Sequence, residues 1–116
     1  MPNAENAIVD IEKLRDYSLN PNHPEGKHKA RAFFEKLELG RNDAELLRRL
    51  ILEAILKVEA VEQKPTTFGR RFIVDFEVER GRGVVLFKAV VRTAWMMRND
   101  EKFPRLTTCF CPRRSS

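Results

Sequence analysis

The sequence predicts an α+β fold: two or three N-terminal helices packed on one face of a three- to four-stranded antiparallel β-meander. Two observations carry this expectation. Helical apolar spacing fills the first half of the chain, up to about Ala60. From Arg71 onward the apolar period becomes two, interrupted by the turn-forming stretches Arg80-Gly81-Arg82-Gly83 and Asn99 to Pro104. Helices come first and strands follow, without interleaving.

The elements follow in order. Asp10 is placed to cap a first helix, Ile11 to about Leu19, with Ile11, Leu14 and Tyr17 three apart. Asn20-Pro21 stops it, because the residue before a proline is pushed out of the α region. A second helix, about Gly26 to Leu37, places Ala30, Phe33, Phe34 and Leu37 at i, i+3, i+4, i+7, with Gly40 positioned for the stop. Asn42 and Glu45 form a capping-box pattern for a third helix. Its buried face is Leu46, Leu47, Leu50, Ile51, Ala54, Ile55 and Val58.

Val58 to Glu62 is expected as a short lead-in strand and residues 63–69 as a loop. Arg71 to Glu79 alternates, with Phe72, Val74, Phe76 and Val78 on one face, as in a half-buried antiparallel strand. Val84 to Arg98 would span roughly 50 Å unbroken, so a bulge or bend is expected near Lys88 to Ala89. Leu106, Thr108 and Phe110 alternate on a last strand. Residues 112–116 are expected to be a disordered basic tail.

The length of 116 residues suits one domain, residues 1–116, with one modest core. A charge of +5 and a pI near 9.6 favour polyanionic partners, nucleic acid or an acidic protein. No apolar run approaches the roughly 18 residues that span a bilayer, and the start has no basic or apolar leader region. A cytoplasmic chain without membrane contact is therefore expected. Cys109 and Cys111 would share a strand face, a poor geometry for pairing with each other, so free thiols are expected.

The chemistry centres on Asn20 to Phe34, where a loop becomes a helix and presents His23, Lys27, His28, Lys29 and Arg31. Phosphate-loop, dinucleotide, nucleophile-elbow and zincin motifs are absent. The C-x-C spacing and the placement of the two histidines do not suit zinc, so neither metal nor cofactor is expected. RNA cleavage without a metal needs a base for the 2′-hydroxyl proton, an acid for the leaving 5′-oxygen, and cations for the pentavalent phosphate. His23 or His28 suits the base or acid. Lys29, Arg71 and Arg105 suit the cations, and Thr93 or Thr108 a phosphate hydrogen bond. Lys27, His28 and Arg31 suit backbone contacts to nucleic acid, and Trp95 suits either base stacking or the core. The same basic face also suits a non-catalytic binding module, and Val84 to Phe87 suits addition to a partner's sheet edge.

Several pieces resemble a known family. They are Lys13-Leu14 with Tyr17, Leu19-Asn20-Pro21-Asn22-His23-Pro24, Gly26, Lys29-Ala30 and Phe33-Phe34. Further on come Gly69 with Arg71, Val91-Arg92-Thr93-Ala94-Trp95 and Pro104-Arg105-Leu106-Thr107-Thr108. They are similar to a bacterial domain family of unknown function, found alone and at the C-terminal tips of polymorphic and contact-dependent toxins. That placement, with helices before a meander, resembles metal-independent RNase toxins of the barnase–EndoU–colicin–RelE type. The resemblance implies site roles for His23, Lys29, Arg71, Thr93, Trp95, Arg105 and Thr108, RNA as substrate, and a small acidic antitoxin or immunity protein as partner. Two departures stand out. The family has a glycine after the Phe-Phe helix where this chain has Glu38, and Gly83 to Ala89 is longer and more apolar. They leave open whether Arg71 faces the same side as Thr93.

Overall fold

Apolar spacing produces the three helices, but their ends are set by contacts the spacing does not contain. The structure is a computed structural model and describes residues 1–112, with Arg82 by its backbone alone. The tail expected beyond Pro112 lies outside the described residues. Helix α1 (Ile11–Lys13) runs directly into a π-wound turn, Leu14–Ser18. The wider winding brings Leu14, Ser18 and Leu19 to one buried side, and the Leu19 N–H donates to Leu14 O at 2.8 Å. Asp10 makes no side-chain cap.

Helix α2 (Lys27–Leu37) buries Ala30, Phe33 and Leu37, whereas Phe34 at the margin of that stripe stays 60% exposed. It ends at Glu38, which takes the left-handed conformation (φ 52°), and not at Gly40. Arg80 Nη1 donates to Leu37 O and Glu38 O, at 3.1 and 3.0 Å, and so satisfies carbonyls that a helix end leaves open. Gly40 instead opens the next turn. Its N–H donates to Asp43 Oδ2 at 2.9 Å, and the Asp43 N–H returns to Gly40 O. The chain thus enters α3 (Ala44–Ala54) through a 3-10 turn, Arg41–Asp43. That turn places Asn42 inside the helical winding and displaces the expected Asn42–Glu45 cap. Ala44, Leu47, Ile51 and Ile55 are buried; Leu46, Leu50, Ala54 and Val58 are half-buried.

The sheet is a meander, β1 (Val61–Thr66), β2 (Gly69–Arg82), β3 (Val85–Arg98) and β4 (Arg105–Phe110), with every neighbour antiparallel. The predicted α+β class and the helices-then-meander order hold. The segment expected as a loop, 63–69, is mostly β1 paired to the start of β2. The expected bend near Lys88 to Ala89 does not occur. β2 and β3 pair without interruption from Gly69↔Arg98 to Arg82↔Val85. Fourteen residues at the strand rise give about 46 Å, which matches the molecule's 45 Å long axis. The curl is unnecessary because the hairpin projects beyond the helices, leaving Val84, Val85, Leu86 and Val90 exposed.

The irregularity lies in β4. Ala94 pairs with Thr108 and Trp95 with Leu106, so Thr107 is an extra residue. Its Oγ1 donates to Ala94 O at 3.0 Å. This bulge shifts the alternation, so Leu106, Cys109 and Cys111 turn inward and the expected face of Leu106, Thr108 and Phe110 is broken. On the helix-covered face lie the pairs Phe72/Trp95, Val74/Thr93 and Phe76/Val91. On the other lie Arg71/Met96, Ile73/Ala94 and Asp75/Arg92. Trp95 is the largest side chain of the core. No helix is long and apolar enough to cross a membrane.

Candidate functional site

The site forms where the start of α2 presses against the π turn. Gly26 makes this possible, since a Cβ there would lie 2.2 Å from Tyr17 O. Lys29, three residues on, then reaches across. Its Nζ donates to Tyr17 Oη at 3.1 Å and to Thr108 Oγ1 at 2.9 Å. It also lies 4.7 Å from the Tyr17 ring centre and 5.9 Å from that of Phe110. Because β4 is an edge strand, a lysine from the helix layer can meet Thr108 there.

His23 packs edge-on against the Tyr17 ring, with centres 4.7 Å apart and planes at 78°. Its Nδ1 accepts the backbone N–H groups of Glu25 and Gly26, both at 3.0 Å. The Asn20 side chain accepts the Asn22 N–H at 3.0 Å and donates to Asp16 O at 3.1 Å. The Asn20–Gly26 loop is therefore held in shape by its own imidazole and amide.

This network decides what the groups can do. An Nδ1 that accepts two N–H groups places the proton of the neutral ring on Nε2, which then donates. The Lys29 ammonium donates to both hydroxyl oxygens, so the Tyr17 and Thr108 hydrogens point to other acceptors. The cluster thus offers several N–H and O–H donors around one positive charge. Such a set suits an anion. Among the described residues no group of three His, Cys, Asp or Glu side chains is arranged to hold a metal ion.

The remaining expected site residues are dispersed. Thr93 is fully buried, donates to Val74 O and accepts the Trp95 indole N–H, each at 2.8 Å. Both residues belong to the core, so neither the phosphate contact expected of Thr93 nor base stacking by Trp95 is available. Arg71 lies on the opposite face of the sheet from Thr93, because their positions differ in strand parity. His23, Lys29, Arg71, Thr93 and Arg105 therefore do not meet in one cleft. Arg71 and Arg105 instead flank Met96 on the open face. Arg105 is clamped by Glu101 at 2.7 Å, which holds that carboxyl below its usual range. Lys27, His28 and Arg31 are exposed on α2, and Arg31 pairs with Glu35 at 2.9 Å.

The sequence reading left Tyr17 and Phe110 out of the site. The available signal was that Tyr17 is the one tyrosine and stands six residues before His23. Cys109 lies behind the cluster against Ser18, Sγ to Oγ 3.7 Å. Burial pushes its thiol up to about 12, with the nearby Lys29 charge pulling the other way. Burial likewise pushes Cys111 up to about 11.

A family model described as "Domain of unknown function (DUF6883)" matches residues 1–113. The chain belongs to the DUF6883 family. No curated protein and no solved structure matches it. The DUF6883 match spans the helices and the whole sheet, so Tyr17, His23, Lys29 and Thr108 all fall inside the family domain.

Beside this cluster the DUF6883 domain has a groove of about 610 Å³. It is reached from Lys13, one helical turn before Tyr17, and from Thr107, next to Thr108. Phe68, Met96, Arg98 and Arg105 form much of the rest of its wall.

Proposed function

We propose that this DUF6883 domain is a metal-independent RNase-like toxin domain of toxin–antitoxin or polymorphic-toxin type, in which Lys29, with Tyr17, His23 and Thr108, holds the scissile phosphate of RNA. The observation that carries the reading is the Lys29 ammonium hydrogen-bonded to two hydroxyls beside an imidazole whose Nε2–H is directed by the backbone. In the reaction the 2′-oxygen bonds to phosphorus and the bond to the 5′-oxygen breaks, leaving a 2′,3′-cyclic phosphate and a 5′-hydroxyl. Lys29 and the His23 Nε2–H stabilise the charge gathering on the non-bridging oxygens. The Tyr17 O–H gives its proton to the leaving 5′-oxygen, the 2′-hydroxyl proton passes to water, and the tyrosinate takes a proton back from water. His23, expected as base or acid, is thus assigned as a hydrogen-bond donor; the base role would need the nitrogen that already carries the proton.

A free nuclease inside a cell must be neutralised, so a small acidic antitoxin or immunity protein is the matching partner for a chain of charge +5. The test is induced expression without a partner gene, with tRNA and mRNA followed on gels. Growth arrest and RNA cleavage are expected. Lys29→Met, which keeps the apolar stem and removes the charge, should lower turnover by about 10²–10³-fold at unchanged circular dichroism. Intact RNA and normal growth with the parent chain would reject the reading.

One observation favours a second reading, a non-catalytic binding module for nucleic acid or an acidic protein: the His23 Nδ1 is used up in capping the loop. A pure binder shows salt-dependent RNA affinity without turnover in the parent, and His23→Ala with Lys29→Ala weakens that affinity.

A further inference from the structure

The groove next to the Lys29 cluster has a different chemical character, which assigns it a different part of the ligand. Three cations, Lys13, Arg98 and Arg105, border it, but three carboxylates, Asp10, Asp100 and Glu101, stand against them. Arg105 is bound by Glu101, and Arg98 lies 3.9 Å from the same carboxylate. A second phosphate would meet this balanced field with little net attraction. What the groove offers is volume, apolar surface and an aromatic face. Its volume lies in the range of small-molecule sites, roughly 300–1,000 Å³.

The aromatic face is Phe68, 74% exposed at the β1–β2 turn. An exposed phenylalanine on a loose loop would be unremarkable, but this one has a fixed backbone. Its N–H donates to Thr66 Oγ1 at 3.2 Å, and its carbonyl accepts the Asn99 N–H at 3.1 Å. Asn99 Nδ2 also donates to Thr67 O at 2.8 Å. Gly69 follows at φ 155°, where a Cβ would lie 2.1 Å from Met97 O, so the turn is seated directly on β3. Met96, on the open face between Arg71 and Arg105, adds apolar surface to the same groove. A planar heterocycle can stack on this ring without the turn having to be ordered first.

We propose that this groove is a nucleobase subsite, with Phe68 as its stacking platform, that seats a base of the RNA whose phosphate Lys29 holds. The assignment rests on the reading of Lys29 as a phosphate site. The two are neighbours along the chain: Lys13 of the groove and Tyr17 of the cluster lie one turn apart on one helical segment, and Thr107 of the groove adjoins Thr108 of the cluster. The Thr107 bulge lets consecutive residues of β4 serve the groove and the cluster.

The experiment uses a fluorescein-labelled 2′-O-methyl tetranucleotide, which lacks the attacking hydroxyl, and its abasic counterpart, with binding read by anisotropy. The base-containing probe is expected to bind the parent chain more tightly than the abasic one. Phe68→Ala should weaken the base-containing probe by about 5- to 100-fold and leave the abasic one unchanged. Its melting temperature should match the parent's, since the ring is mostly exposed. Lys29→Met should weaken both probes alike. Equal binding of the two probes by the parent, or parental binding by Phe68→Ala, overturns the subsite while the Lys29 reading stands. If the parent binds neither probe, the phosphate reading falls and the subsite with it.

Discussion

Thr93 decides whether the core or the site owns the middle of β3. Its hydroxyl links two buried groups, accepting the Trp95 indole N–H and donating to Val74 O, each at 2.8 Å. Thr93→Val keeps the volume and removes the link. The indole N–H, on a side chain 1% exposed, is then left without an acceptor. An unsatisfied buried donor costs about 1–3 kcal/mol, and the lost bond to the carbonyl adds about 0.5–1.5 kcal/mol. The sum, roughly 1.5–4.5 kcal/mol, is a large part of a typical stability of about 5–15 kcal/mol. Thr93→Ser keeps the hydroxyl and loses one methyl, about 1 kcal/mol. Urea unfolding followed by the fluorescence of the single tryptophan reads both at the altered position. With a slope of about 1–3 kcal/mol/M, Thr93→Val should lower the midpoint by at least about 0.5 M. A Thr93→Val protein as stable as the parent, with RNA cleavage abolished, would refute the core assignment and return Thr93 to the site.

Other outcomes follow from the same geometry. Gly26→Ala places a Cβ against Tyr17 O, a backbone atom that cannot swing aside; it should lose about 1–3 kcal/mol in thermal melts and loosen the His23–Tyr17 contact, and a parental melting curve would contradict the close approach. Arg105 holds the Glu101 carboxyl below its ordinary value of 4.5. A depressed folded value gives stability that is present above the unfolded value and lost as pH falls through the folded one. The difference in melting temperature between the parent and Glu101→Gln should therefore be steady above about pH 6 and close as pH drops below 4.5; a gap that persists in acid would show that the clamp is not the cause. Cys109 and Cys111, raised to about 12 and about 11, stay protonated and enclosed at mildly alkaline pH. Mass spectrometry after iodoacetamide treatment should find them unmodified in the native protein and alkylated in urea, and rapid native labelling would mean that the β4 bulge does not turn them inward.

The sequence alone determined what depends on local periodicity: the helical half, the alternating half, the inward row Phe72, Val74, Phe76 and Val78, and the antiparallel meander. It also singled out Asn20 to Phe34, where His23 and Lys29 lie. Helix and strand periods are properties of neighbouring residues, so they are legible without tertiary contacts. Tertiary structure decided the rest. The one-residue bulge at Thr107 inverted the faces of β4, sent Cys109 and Cys111 inward, and left Thr108 to Lys29. Strand parity separated Arg71 from Thr93, and burial turned Thr93 and Trp95 from ligand contacts into a satisfied core pair. Tyr17 entered the site because Gly26 lets α2 start against its backbone. Each of these depends on residues far apart in the chain meeting at a few ångströms. A shift of one residue in register reverses which face a side chain takes, and composition and spacing carry no record of that shift.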